Sequence, residues 1–534
     1  MMQHDTEGKI VNEFYRGFDL ISRTPLPDYS ATGIYVRHRK TGLEVFHVQN
    51  DDEENLFAFV FRTPHPRATG VAHIIEHSVL CGSEKFPLKE PFVNLINQSM
   101  NTFLNAFTYP DKTVYPAASL NRTDYFNVMD VYADAVFFPL LSHETFLQEA
   151  HRLEIAEDGT RTIQGVVYNE MKGAYSSFAS VAGDALLRSL FSGTVYEYDS
   201  GGEPLVIPTL TYEEFRAFHA ACYRPDNALL FLYGSIPTEV QLDFIQRAVL
   251  DRLEKKYPVP PIHTRFPAVP SEIARLLQLA PMPTPVTVRT SAPDTGVQGS
   301  YAVMNWRLGN TDDIQSFMEI VFIMQVLTGH DGSPISKALL DTDYGDGLVI
   351  EIESSFRALA VCIGLSGVDA SSADAVADVL MDTLNNCATH GVPSESVASA
   401  VLAVDFANRE VTRAGGPYAL EILSRAVAGW NYGTDPATRT LYRAAFDTVQ
   451  RQLAENPDYC KELIRRLFLE NTARSFVVVT PDARYLADRA VAEQQLVATR
   501  AAETTDAAIK DQQAALHAYQ YREETNEEAS CIPH

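Results

Sequence analysis

Between Thr69 and Gly82 the chain reads TGVAHIIEHSVLCG. Side chains at i, i+3 and i+4 of a helix share a face, so a helical reading brings His73, Glu76 and His77 together. Gly82 then stands where a helix C′ glycine is expected. Two neutral imidazoles can hold one Zn²⁺, and a carboxylate one residue before the second ligand can reach a water bound to that ion. The arrangement is H-x-x-E-H, the reverse of the commoner H-E-x-x-H. The competing reading is an amphipathic helix with two incidental histidines. With 14 histidines in 534 residues, a chance match is rare.

A catalytic zinc takes three protein ligands and leaves one position for water, so the motif demands a third group. The best candidate is Glu170, in GVVYNEMKG, 93 residues after His77. Glu149, Glu154 and Glu157 also precede the next break in the chain, and spacing alone does not choose among the four.

Around the motif the pattern is that of an α+β unit. TGIYVRHRK, LEVFHVQN and LFAFVFRT are rich in β-branched and aromatic residues and are separated by turn-forming residues, which predicts strands between residues 31 and 64. Pro91 fits the first turn of a helix through FVNLINQSM. TFLNAFTYPDKTVYPA predicts two short strands around a PDK turn, and Asn121 or Thr123 caps a helix through YFNVMDVYADAVFF. Further helices are expected over ETFLQEAHRLEI, from GVVYNEMKGAYSS, over TYEEFRAFHAACY and from Thr238, with ALLFLYGSI as a buried strand.

Pro258, Pro260, Pro261, Pro267, Pro270, Pro281, Pro283 and Pro285 then break the chain. Beyond them the order of elements restarts: strand-like VTVRTS and GSYAVMNWRL, helices, strands LVIEIESS and LAVCIGLSG, long helices, and a closing strand RSFVVVTP. The expected division is a first domain over residues 1–257, a linker over 258–285 and a second domain of like build over 286–484. Residues 485–534 are rich in helix formers and are expected to form a helical hairpin arm. The fold class is thus α+β: two similar domains, each a mainly antiparallel sheet flanked by helices, plus the arm.

Composition bounds the function. A net charge of −26 disfavours nucleic acid and is compatible with basic peptides. No run approaches 18 apolar residues, and MMQHDTEGKIVNEF has no apolar core of a signal sequence, so a cytoplasmic protein without a membrane span is expected. The six cysteines are scattered, with no CxxC pair, and read as buried or incidental thiols. G-x-S-x-G and phosphate-binding loops are absent from the sequence.

In order along the chain stand TGVAHIIEHSVLCGSEKFPLKEPF, NAFTYPDKTVYP, LQEAHRLE, GVVYNEMKGAYSS, SGGEPLVIPTLTYEEFRAFHAACYRPDNA and LYGSIP. This series resembles the presequence-protease branch of the pitrilysin-like (inverzincin) zinc peptidases. The resemblance implies one Zn²⁺ per chain held by His73, His77 and Glu170, with Glu76 as the general base. It also implies that the strand with Asn105, Ala106 and Phe107 pairs with the backbone of a peptide substrate. The implied activity is endoproteolysis of short unstructured peptides, targeting-peptide remnants among them. A non-catalytic binding or assembly subunit on the same fold is the alternative.

Where relatives have QEGWR this chain has QEAHR, so His151 is expected to pack in the core or at the site's periphery. His330, in IMQVLTGHDGSP, stands where the second unit would carry a metal motif, without partners, and is expected to be structural. Relatives are about twice as long, two halves joined by a helical hairpin and closing around a chamber. The chain's last residues, ETNEEASCIPH, resemble the end of that hairpin, so the chain is expected to be the N-terminal half plus the arm. A C-terminal half, fused or separate, is the expected partner. In relatives it supplies an arginine and a tyrosine near the zinc, so zinc binding with weak or no turnover is expected of this chain alone.

Overall fold

The computed structural model describes residues 13–89, 92, 99–256, 269–296, 299–413, 415–525, 528 and 531, and the backbone of 3–4 and 10–11. Of the segment FVNLINQSM expected as a helix, only Phe92, Ser99 and Met100 are among the described residues, and the first four linker prolines lie outside them.

A nine-stranded sheet is built from β1 (Glu13–Tyr15), β2 (Phe18–Leu26), β3 (Ala31–His38), β4 (Glu44–Gln49), β5 (Asn55–Arg62), β6 (Asn101–Leu104), β7 (Phe107–Thr108), β8 (Lys112–Ser119) and β9 (Ala228–Gly234). Its order is β1-β2-β3-β4-β9-β5-β8-β6, with β7 also on β8. β9 runs parallel to β4 and antiparallel to β5; the other pairs are antiparallel. β4, β5 and β9 are buried throughout except Gln49, which explains their nearly continuous apolar sequences. A second, five-stranded sheet comprises β10 (Val286–Pro293), β11 (Ser300–Asn310), β12 (Gly347–Glu353), β13 (Ala358–Val368) and β14 (Arg474–Asp482), in the order β10-β14-β11-β13-β12. Again the last strand inserts between two earlier ones and runs parallel to the first of them. The fold is α+β with two sheets of like topology.

Several local expectations are corrected. Strand β2 was not expected, because Pro25 interrupts its pattern; it pairs along its length with β3. The helix expected through ETFLQEAHRLEI stops at Glu149, and Arg152–Ile155 pairs instead with Arg161–Gln164 as a hairpin. Leu153 and Ile163 face the core across that hairpin, so the alternation is that of a strand. The motif helix ends at Val79 with Leu80 as its cap, two residues before the C′ position read for Gly82. Gly82 does take a positive φ of 108°, and a Cβ there would lie 2.6 Å from the Leu88 carbonyl oxygen.

Two helices pack across the chain order. Helix α3 (Phe178–Arg188), from the first half of the chain, sets Phe178, Ala182 and Leu186 against Val303, Val477 and Val479 of the second sheet. Helix α4 (Ala419–Trp430), from the second half, sets Ala419, Ile422, Ala426 and Trp430 on the back of the first sheet, against Leu26, Phe46, Val60 and Phe231. The segments expected as separate domains are therefore interlocked. Helices α5 (Tyr485–Ala502) and α6 (Asp506–Gln520) form a hairpin that folds back on the 152–164 hairpin and on helix His143–Glu149. Among the described residues, no helix is long and apolar enough to cross a membrane.

Candidate metal centre

Helix α1 (Val71–Val79) follows β5 and carries the motif. Its β-branched Val71, Ile74, Ile75 and Val79 favour strand over helix intrinsically, so burial of these four side chains in the first core holds the helical form. The less buried stripe is thereby left to the histidines. Gly70, with φ 64°, starts the helix against Gly202, and a Cβ on Gly202 would lie 2.7 Å from the Gly70 Cα. Only paired glycines let the loop at 199–203 come this close.

The His73 and His77 rings meet edge to face with centroids 4.8 Å apart. Helix α2 (Val166–Ala174) brings Glu170 to them: its Oε2 lies 3.7 Å from His73 Nε2 and 3.7 Å from His77 Nε2. Two ligand atoms on a tetrahedral ion with bonds of about 2.0–2.1 Å stand about 3.4 Å apart, so three convergent N/O donors at these separations fit Zn²⁺ with small side-chain adjustments. Among the described residues this is the one group of three or more His, Cys, Asp or Glu with donors so close.

The outer nitrogens differ. His77 Nδ1 lies 3.3 Å from Glu149 Oε2, and Glu149 is 5% exposed and also accepts from Gln148 Nε2 at 2.9 Å. Burial opposes charge on His77, but the hydrogen bond to Glu149 and the carboxylates of Glu149, Glu76 and Glu170 outweigh it and raise its pKa. His73 Nδ1 is buried with no hydrogen-bond partner among the described residues. Of the other carboxylates weighed from the sequence, Glu154 pairs with Arg152 and Glu157 lies exposed in the hairpin turn.

Glu76 is 9% exposed and accepts a hydrogen bond of 2.5 Å from the Thr108 hydroxyl. It opens into a cavity of about 640 Å³ that also holds the three donors. One wall is Asn105, Ala106, Phe107, Thr108 and Tyr109, at the β6–β8 end of the sheet. Asp199, Ser200 and Gly201 also line the cavity. Burial, with Glu353 and Glu76 nearby, raises the Tyr109 pKa. Thr108, Tyr109 and Asp199–Gly201 were not singled out from the sequence. Thr108 follows NAF directly, and SGG was part of the resemblance without a role. His151 is away from the donors, its Nε2 bonded to the Leu210 carbonyl at 2.9 Å. His330 Nδ1 accepts from the Gly332 amide within its own turn.

Residues 62–173 match the family described as Insulinase (Peptidase family M16), and residues 209–404 match the Peptidase M16 inactive domain. Presequence protease 1, chloroplastic/mitochondrial, of Arabidopsis thaliana is 33% identical over 528 residues, covering 97% of this chain and 48% of its own length. Protein HypA of Clostridium perfringens is 35% identical over 476 residues, covering 88% of this chain and 48% of its own. The crystal structure of the first half of the periplasmic protease PqqL from Escherichia coli superposes with a TM-score of 0.57 at 15% identity, over 96% of this chain and 99% of that one. That last likeness bears on the fold alone. The chain belongs to the M16 peptidase family. Within it, the chain falls in the presequence-protease branch, and it spans about half the length of the curated relatives named above.

Proposed function

We propose that this chain is the zinc-binding half of a metalloendopeptidase that cleaves short unstructured peptides. The observation that carries the reading is the convergence of His73 Nε2, His77 Nε2 and Glu170 Oε2 beside the buried Glu76 in one cavity. Bound zinc supplies Lewis-acid polarisation of the peptide carbonyl and lowers the pKa of the attacking water. Glu76, steadied by Thr108, takes the proton of that water and returns it to the leaving amine. Glu149 holds the His77 ring by its outer nitrogen.

The peptide lies along Asn105, Ala106 and Phe107, adding as a strand beside the sheet's last strands. Strand addition requires an extended substrate, which selects unstructured peptides over folded proteins. The −26 charge favours basic ones. A second half of the size that the relatives possess closes the chamber and completes the catalytic groups, so turnover by this chain alone is expected to be weak.

The test is metal content and peptidase rate for the wild type, Glu170→Gln and Glu76→Gln. The wild type is expected to carry one zinc, Glu170→Gln to lose it, and Glu76→Gln to keep it while any turnover falls by about 10²–10⁴. A zinc-free wild type refutes the reading, as does a Glu76→Gln variant with undiminished turnover.

A further inference from the structure

We infer that Glu493, on arm helix α5, is a positioning residue that fixes Glu170 within the metal site; the inference rests on the zinc reading above. Helix α2 has nine residues, and its N-cap, Gly165, offers no side-chain hydrogen bond. A helix so short has no stable register of its own, so outside contacts set where Glu170 stands. Glu170 itself is 54% exposed at the side chain, and its only partners among the described residues are the two histidines.

Val167 and Met171 pack into the first core, and the arm holds the helix by polar contacts. Glu493 Oε1 accepts from the Tyr168 hydroxyl at 2.8 Å and from Lys172 Nζ at 2.7 Å. Tyr168 and Lys172 are four apart and share a face, and each is two residues, about 200° around the helix, from Glu170. The arm therefore grips the back of α2 while Glu170 faces the cavity. One turn earlier on α5, Arg489 stands 4.8 Å from the Tyr175 ring centroid at the end of α2 and pairs with Glu203. Glu203 ends the glycine loop whose Gly201 packs on Met171, next to Glu170: a Cβ on Gly201 would lie 2.3 Å from the Met171 Sδ. Two residues four apart on the arm thus reach α2 directly and through the loop. An exposed Lys–Glu pair contributes little on its own. Here, one buried-side carboxylate oxygen joins two donors that bracket a metal ligand.

The test is the zinc dissociation constant of the full chain, by competition with a chromophoric chelator, for the wild type, Glu493→Ala, Glu493→Gln, Gln494→Ala and Glu170→Gln. Circular dichroism checks the fold of each. Glu493→Ala is expected to bind zinc about tenfold more weakly, the low end for residues that orient a ligand. Glu493→Gln keeps an acceptor for Tyr168 but loses the charge that faces Lys172, and should recover about half of that loss on a logarithmic scale. Gln494→Ala should match the wild type. If Glu170→Gln loses zinc while Glu493→Ala binds it like the wild type, the positioning role is refuted and the zinc reading stands. If Glu170→Gln keeps wild-type affinity, the zinc reading itself fails. Should Glu493→Ala not fold, Glu493→Gln decides: an affinity reduced about threefold supports the role, and an unchanged one overturns it.

Discussion

Glu149 offers the sharpest perturbation of the metal centre, because it touches a donor residue without facing the shared donor point. Its Oε2 lies 3.3 Å from His77 Nδ1, and its Oε1 takes Gln148 Nε2. With an acceptor at Nδ1, the proton stays on that nitrogen and Nε2 keeps its lone pair toward Glu170. Removing such a partner weakens metal binding by about 10–100-fold. The 3.3 Å contact is longer than a strong charge-assisted bond, about 2.7–2.9 Å, so Glu149→Ala should fall near tenfold, or about 1.4 kcal/mol. Glu149→Gln preserves volume and keeps an oxygen for the imidazole N–H, so it should stay within about threefold of the wild type. Stability is read separately, because Glu149 is 5% exposed and Glu149→Ala leaves the Gln148 amide without its acceptor, at a cost of about 1–3 kcal/mol if that group stays buried. The assay is zinc competition at fixed pH beside urea denaturation of the zinc-free protein. A Glu149→Ala protein with the wild-type zinc dissociation constant refutes the orienting role, and a Gln variant as weak as Ala shows that charge, not orientation, is what Glu149 supplies.

Acid should unfold the protein through its buried histidines. Burial drives His47 down to about 3 and His38, His151 and His219 to about 4. The unfolded chain therefore binds these protons first, near pH 6.5. Their contribution to stability is complete above that pH and is lost as pH falls toward 4, with a slope near pH 5 of about 5 kcal/mol per unit for four groups. Urea midpoints that do not change between pH 7 and 5 contradict this. Trp430→Ala should cost about 3–5 kcal/mol in urea denaturation, since Trp430 is fully buried, with Arg62 stacked 3.5 Å from its ring centroid and its indole N–H donated to Glu44 at 2.5 Å. A loss under 1 kcal/mol would mean that α4 does not lock the back of the first sheet.

What could be read from the sequence follows the range of the interactions. His73, Glu76 and His77 are neighbours by helical geometry alone, so their common face was legible. Glu170 was one of four carboxylates at unremarkable spacings, and only the path of the chain separates it from Glu149, which meets the same histidine from the other side. The α+β class and the repeated order of strands were visible in periodicity. The insertion of β9 between β4 and β5 was not, because a buried strand carries no mark of its neighbours. For the same reason nothing in the sequence marked that α3 and α4 each cover the other half's sheet. Strand β2 hid behind Pro25, and the 152–164 hairpin behind helix-forming LQEA just before it.

The interlocking gives the unit without a metal motif a part in the site. The turn before β8 carries Asp111, fully buried, which accepts from the Tyr196 hydroxyl at 2.7 Å, the Tyr432 hydroxyl at 2.7 Å and Lys112 Nζ at 3.0 Å. Lys112 Nζ also donates to the Ser355 carbonyl at 2.5 Å. Tyr432 follows α4, and Ser355 lies in the turn between β12 and β13, so both come from the second half of the chain. Phe103 and Phe107, stacked at 6.5 Å, pack on the same back-face cluster as α4. A buried carboxylate with three donors holds its backbone far more tightly than surface turns are held, because each unmade bond would cost about 1–3 kcal/mol. The strand bearing Phe107 and Thr108, and through Thr108 the carboxylate of Glu76, is thus braced from behind by residues more than 240 positions away. The second unit thus backs the first. The inward side chains of its helix α4, Ala419, Ile422, Ala426 and Trp430, are buried as deeply as the core they cover.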